Sequence, residues 1–158
     1  MKLKLDIKNQ DLMLIDSKYA ICHCISADCA MGKGVVVPIV KKYVGIKQAC
    51  QNFAKSNNEN IVVGRAFRYA CEAGIVYNLF SKKIFRHKAG YGVTIEQYHS
   101  NLKSCLEDMK SQMLSNDEKF IAMPKIACGL DRCEWKDVEQ IIKDVFDDAD
   151  IEILVCVI

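Results

Sequence analysis

Apolar and polar positions alternate over Met1 to Lys8. Leu3, Leu5 and Ile7 share one face; Lys2, Lys4, Asp6 and Lys8 share the other. This period predicts a half-buried strand at or near a sheet edge, where lysines oppose edge-to-edge association. Turns are expected at Gln10-Asp11-Leu12 and Asp16-Ser17. Ala20 to Ile25 is apolar enough for a central strand. Val35 to Tyr43 predicts a helix with Pro38 in its first turn, where proline is tolerated. Gly45 interrupts it, and Ile46 to Lys55 predicts a second helical piece that ends in a surface turn over Ser56 to Asn60. Ile61 to Gly64 and Gly74 to Phe80 predict two strands with a turn near Cys71 to Gly74. Thr94 to Leu114 carries the clearest helical period, with Ile95, Tyr98, Leu102, Cys105, Leu106, Met109 and Met113 as one stripe. Phe120 to Met123 predicts a short buried strand. Trp135, Val138, Ile141, Ile142, Val145 and Phe146 repeat at helical spacing, and Ile151 to Ile158 closes as a strand. The order β-β-α-α-β-β-α-β-α-β predicts an α/β domain with a mixed sheet and helices on both faces.

Composition adds bounds. The chain has 158 residues, enough for one domain with a sizeable core, and its 51% hydrophobic and 27% charged content is ordinary for a globular protein. A net charge of +2 does not support general nucleic-acid binding by electrostatics alone. Nine cysteines without a charged-then-apolar leader are expected to be reduced thiols in a cytoplasmic compartment. No apolar run approaches membrane-spanning length. No apolar stripe is left over once the helices are assigned, so a monomer is expected.

The chemistry concentrates in loops. Met123 to Trp135 leaves a strand and enters a helix, the place where open α/β sheets hold ligands. Ala127 and Gly129 are small enough for backbone N–H groups to approach an anion. Asp131 puts a carboxylate beside that site, where it would repel phosphate unless it had a task. Gly32-Lys33-Gly34 offers a second cradle. Alone it is a weak signal, because both the third glycine of a dinucleotide fingerprint and a Gly-Lys-Ser/Thr run are missing. Two such loops could clamp a pyrophosphate. Ser81 to Lys88 is a basic loop with five cations in eight residues if His87 is protonated. Lys83 reads as solvated. Lys82, at a strand end, could be an amine made nucleophilic by desolvation or neighbouring cations, with Asp131 as general base.

Other clusters read as structural. Cys22, His23, Cys24 and Cys29 lack a second Cys-x-x-Cys pair, and His23 points away from Cys22 and Cys24 on a strand, so zinc is not supported. Cys128 could have a lowered thiol pKa near a helix start, but no histidine is clearly placed as its base. His87 and His99 read as surface residues, and Trp135 as core.

Four segments together resemble the macrodomain family, in its terminal ADP-ribose protein glycohydrolase branch. They are Gln10-Asp11-Leu12, His23 to Gly34, Ser81-Lys82-Lys83 and Met123 to Arg132. The resemblance extends through Trp135 and the last helix, so a single macrodomain over residues 1–158 is expected. It implies a three-layer α/β/α sandwich with a mixed sheet and ADP-ribose as ligand or product, with no cofactor and no metal. It implies that Asp11 and Leu12 lie by the adenine. It places Ser26, Met31, Gly32, Lys33 and Gly34 along the diphosphate and distal ribose. Lys125, Ile126, Ala127, Cys128, Gly129 and Leu130 would form the other phosphate wall. In that branch a lysine matching Lys82 attacks the anomeric carbon of the distal ribose, and an aspartate matching Asp131 assists and then resolves the adduct. Such a carbon can open to an aldehyde-like form that an amine captures as a Schiff base.

The expected substrate is ADP-ribose on an acidic side chain of a protein, or on a nucleobase of a nucleic acid. Gln10 and Ala127 stand where the family usually has glycine, and Cys156 where it often has an aromatic. A methyl at Ala127 is expected to require a negative φ. The loop Ala89 to Val93 is longer than usual. Two rivals are a non-catalytic ADP-ribose reader, which would need neither Lys82 nor Asp131, and an ADP-ribose 1″-phosphate phosphatase.

Overall fold

The computed structural model describes residues 3–158, and only the backbone of Glu59 and Asn60. Met1 and Lys2, the start of the alternating N-terminal segment, lie outside the described residues. The strands are β1 (Lys4–Asn9), β2 (Ala20–Ser26), β3 (Ala66–Cys71), β4 (Gly74–Lys82), β5 (Lys88–Ala89), β6 (Gly92–Val93), β7 (Phe120–Met123) and β8 (Glu152–Val157). The helices are α1 (Val36–Lys42), α2 (Ile46–Asn57), α3 (Glu59–Val62), α4 (Ile95–Ser115) and α5 (Trp135–Phe146). Six strands form one mixed sheet in the order β1-β8-β7-β2-β4-β3, and β5 pairs with β6 apart from it. Only the β3–β4 hairpin is antiparallel; the other neighbours in the large sheet run parallel. The edge strand β1 is mostly exposed, whereas every residue of β2 but Cys24 is buried. A parallel strand covered on both faces needs this continuous apolar character.

Alternation along β4 sorts the core into two layers. Tyr77 and Leu79 face one side, with α4 and α5 residues such as Leu102, Leu106, Val138 and Phe146. Val76 and Phe80 face the other, with α1 and α2 residues such as Ile39, Ile46 and Cys50. The result is a three-layer α/β/α sandwich. Thr94 caps α4, its hydroxyl accepting from the Gln97 N–H at 3.0 Å. Tyr98, Leu102, Cys105, Leu106, Met109 and Met113 of the stripe are fully buried. Ile95 is not: it is 50% exposed at the first residue of α4.

Ile61 to Gly64 is not a strand. Ile61 and Val62 complete α3, Gly64 takes φ +93°, and the strand begins at Ala66. A short apolar run bounded by glycine has no period that separates a strand from a buried helical turn. The expected surface turn at Ser56 to Asn60 is likewise largely helical, with a break at Asn58. Gly45 does separate α1 from α2. It takes φ +88°, and an added Cβ would come within 2.7 Å of the Tyr69 hydroxyl, which donates to the Val44 carbonyl.

Where β2 meets β4, His23 Nε2 lies 2.6 Å from Asn78 Oδ1, and Asn78 Nδ2 donates to the Phe67 carbonyl. Burial lowers the His23 pKa from 6.5 to about 4, so the folded protein holds it neutral. Between these values the unfolded chain binds a proton that the folded chain does not. Stability is therefore full above pH 6.5 and falls as the pH drops toward 4, by up to about 3 kcal/mol from this residue. Urea melts across this range are expected to show a pH slope that His23→Gln reduces by about one proton; an equal slope in the variant would rule out a buried neutral histidine.

Candidate active site

The loops that leave β2, β4 and β7 converge at the C-terminal ends of the strands. Local irregularity prepares the place. The β2–β4 register runs Ile25 to Phe80 and then Ser26 to Lys82, so Ser81 is an extra residue in β4. A bulge re-aims the side chains around it. Ser81 and Lys82 thus belong to the strand and are buried, and the exposed basic loop begins at Lys83.

Lys82 and Asp131 are each only 8% exposed and form an ion pair with Nζ 2.5 Å from Oδ1. Lys82 Nζ also donates to the carbonyls of Phe85 and His87, both at 2.9 Å. An ammonium has three N–H groups, and all three are used. The loop after β4 therefore wraps the cation. Its closure is tied twice more: Phe85 N–H donates to Asp28 Oδ2 at 3.0 Å, and Ala89 N–H donates to the Asp131 carbonyl at 3.0 Å.

The second oxygen of Asp131 accepts from the Tyr98 hydroxyl, which also lies 3.0 Å from Ser81 Oγ. Burial, with Cys24 and Asp131 adding to it, pushes the Tyr98 pKa far up, so the phenol stays a donor. Burial, reinforced by Asp131, likewise raises the Cys24 thiol. Asp131 is thus held by one cation and one hydroxyl. A cavity of about 410 Å³ adjoins Lys82, lined also by Lys83, His87, Gln97 and Asn101 among others.

The two small-residue loops face each other beside the pair. A Cβ on Gly34 would stand 3.6 Å from Leu130 Cδ1, so the Met31-Gly32-Lys33-Gly34 loop meets the Lys125 to Leu130 loop there. The first loop turns through positive φ at Cys29, Met31 and Gly34. Ser26 Oγ donates to Asp28 Oδ1, which also accepts from the Ala30 N–H. Gly32, Lys33 and Gly34 are exposed, as are Lys125, Gly129 and Leu130. Ile126 is buried. Ala127 departs from expectation: it takes φ +65° despite its methyl group. The Cys133 N–H donates to its carbonyl at 2.9 Å, and only 8% of the residue is exposed, so the turn overrides the side-chain preference.

Farther along, Asp11 caps a short 3₁₀ turn over Leu12–Leu14, accepting from the Met13 N–H, and leaves Leu12 buried. Cys156, on β8, is near enough to Asp11 for that carboxylate to help burial raise its thiol pKa.

The remaining side-chain readings fare differently. Burial raises Cys128 to about 11, and it lies well before the start of α5 at Trp135, so a helix-activated thiol is not what the fold provides. His87 and His99 are half-buried and not simply at the surface. Trp135 packs against the core as expected but is only half-buried, with Lys125 Nζ 5.7 Å from its ring centroid. Lys83 is exposed, as expected. Sequence reasoning missed Asp28, which ties two loops together, and Tyr98, which was absorbed into a core stripe. Its one signal was a hydroxyl among Leu, Cys and Met positions, because a buried phenol needs a partner.

Residues 22–142 match the Macro domain family. The Bos taurus protein named ADP-ribose glycohydrolase OARD1 is 39% identical over 145 residues, 92% of this chain and 86% of that protein. Its Homo sapiens counterpart is 38% identical over the same shares. Among solved structures, the macrodomain of Thermus aquaticus DarG superposes with a TM-score of 0.81 at 20% identity, covering 99% of both chains. A Bacteroides thetaiotaomicron protein of unknown function gives a TM-score of 0.81 at 22% identity, covering 98% of both. At these identities the structural likeness concerns the fold.

The strained position makes a direct prediction. A β-branched residue at positive φ is more strained than alanine. Ala127→Val is expected to lower stability by about 1–3 kcal/mol, while Ala127→Gly stays within about 1 kcal/mol of wild type. Chemical denaturation of both variants checks this, and a valine variant as stable as wild type would contradict the left-handed turn.

Proposed function

The chain belongs to the Macro domain family, and we propose that it is a mono-ADP-ribosyl hydrolase using Lys82 as nucleophile and Asp131 as proton carrier. The observation that carries this reading is the buried Lys82–Asp131 pair, 2.5 Å apart, with Asp131 directly after the loop that meets Gly34 at Leu130. Proteins at 38–39% identity over 92% of the chain bear the name ADP-ribose glycohydrolase, which supports the same chemistry. A module that only bound ADP-ribose would not require an amine buried against a carboxylate, since such a pair is weak as a source of stability.

The resting pair is not yet reactive, because a lysine with three donated hydrogens has no lone pair. Lys82 must leave the Phe85 and His87 carbonyls and pass one proton to Asp131. The freed lone pair then forms a bond to the anomeric carbon of the distal ribose. The bond from that carbon to the ester oxygen breaks, and its electrons leave with the acceptor carboxylate, which takes the proton from Asp131. Asp131 next accepts a proton from water as the water oxygen bonds to the anomeric carbon. The carbon–nitrogen bond breaks, its electrons return to Nζ, and Asp131 returns the proton. The ion pair is restored, and the net reaction is ester plus water to ADP-ribose plus acid.

A modified nucleobase is the second substrate to test. Beside the site, the exposed Lys83 and Arg86 accompany Phe85 and Tyr91, which are 56% and 65% exposed. Cations with exposed aromatic faces suit a nucleic-acid strand. This is weaker support than it was in sequence, because Lys82 is spent on Asp131 and leaves the basic surface.

The test is release of ADP-ribose from a glutamate-modified protein and from an ADP-ribosylated oligonucleotide, side by side. Wild type is expected to release it from at least one. Lys82→Ala and Lys82→Arg are expected to show no turnover while still binding ADP-ribose; the arginine variant keeps a charge beside Asp131 but is no nucleophile. A fully active lysine variant would end the lysyl mechanism. Asp131→Ala is expected to lower turnover by about 10²–10⁴-fold, with a trapped adduct on Lys82 visible as added mass; normal turnover would reduce the carboxylate to a shaping role. Binding without release from either substrate would favour a reader, and release of phosphate from ADP-ribose 1″-phosphate in its place would favour the phosphatase.

A further inference from the structure

Tyr98 stands in a stripe whose other buried members are Leu102, Cys105, Leu106, Met109 and Met113. A phenylalanine would fill that space. The hydroxyl is an added cost in a fully buried position unless a partner offsets it, and its partner is Oδ2 of Asp131. The end of α4 around it is stitched to the end of β4. Asn101 Nδ2 donates to the Ser81 carbonyl at 3.2 Å, and Gln97 Nε2 donates to Asn101 Oδ1 at 2.8 Å. Tyr98 thus reaches Asp131 from a rigid helix, while Lys82 reaches it from the strand that must release it.

The consequence follows from burial. Once Asp131 has given its proton to the leaving carboxylate it is an anion again while Nζ is bound to the anomeric carbon, so Oδ1 lacks its former partner in a site that is 8% exposed. Stranding a buried charge is costly. The Tyr98 hydroxyl remains bonded to Oδ2 through that step, and a hydrogen bond to a charged group is stronger than a neutral one. We infer that Tyr98 is a positioning residue for hydrolysis: it fixes the rotation of the Asp131 carboxylate, keeps Oδ1 toward Lys82, and remains the partner of Asp131 whenever Lys82 departs. The inference rests on the hydrolase reading. Tyr98 does not touch the ribose in this account, so its removal affects turnover and not binding.

The experiment compares wild type and Tyr98→Phe in steady-state release from a glutamate-modified protein, with ADP-ribose titration and thermal melts alongside. The expected result is kcat about 10- to 100-fold lower, with KM and ADP-ribose affinity within about twofold and a cooperative melt retained. An unchanged kcat, or equal losses in kcat and ADP-ribose affinity, would overturn the inference and leave Tyr98 a packing residue. If Tyr98→Phe fails to melt cooperatively, Ser81→Ala replaces it. That variant removes the neighbour of the Tyr98 hydroxyl and is expected to lower kcat about 2- to 10-fold at constant KM, no change again overturning the inference. A wild-type protein that releases no ADP-ribose removes the hydrolase reading and this inference with it, whereas active wild type with equally active Tyr98→Phe removes this inference alone.

Discussion

One buried ion pair organises the active end of this molecule. Lys82 and Asp131 are both removed from water, and a charge there is tolerated only while its bonding capacity is met. The surrounding structure supplies what each group lacks: two peptide carbonyls for the remaining ammonium hydrogens, and a phenol for the second carboxylate oxygen. The loop after β4 closes so that its carbonyls can reach Nζ. The N-terminal end of α4 carries Tyr98 to the same spot. The pair leaves the Asp131 charge balanced within the fold itself.

The sandwich makes that pairing possible. Lys82 ends β4 and Asp131 lies in the loop after β7, and β2 runs between these strands in the sheet. Parallel strands present their C-terminal ends together, so residues far apart in sequence meet at one edge. The bulge at Ser81 interrupts the alternation of β4 just before the lysine. The same sheet end gathers the loops at Gly32 and Ala127, which both turn through positive φ and meet at Gly34 and Leu130. Strain at Ala127 and satisfied burial at Lys82 are two forms of one arrangement, in which rigid elements hold a site that local preference alone would not form.

What could be read from the residues divides along clear physical lines. The long periodic segments were legible. Six of the seven stripe positions over Ile95 to Met113 are buried, and Ala20 to Ile25 lies in the sheet centre as its apolar run requires. The short run Ile61 to Gly64 was not legible, since four apolar-bounded residues carry too little period to choose between strand and helix. Lys82 and Asp131 were legible as chemical types at loop ends, and only the family resemblance, not their spacing, joined them in one site. Tyr98 and Asp28 were not legible as site residues, since one was hidden in a helical stripe and the other among small loop residues.

The spacing of residues along the chain was enough for the long periodic elements, the two small-residue loops and the side chains that could do chemistry. Those follow from local spacing, which is written along the chain. The tertiary structure alone decided that Lys82 is buried and fully bonded, that Asp131 faces both Lys82 and Tyr98, and that Ala127 turns left-handed. Each of these depends on groups brought together by sheet pairing across 33 to 49 residues or on backbone closure. No local pattern encodes them, because the energies that select them arise only when water is excluded and distant elements meet.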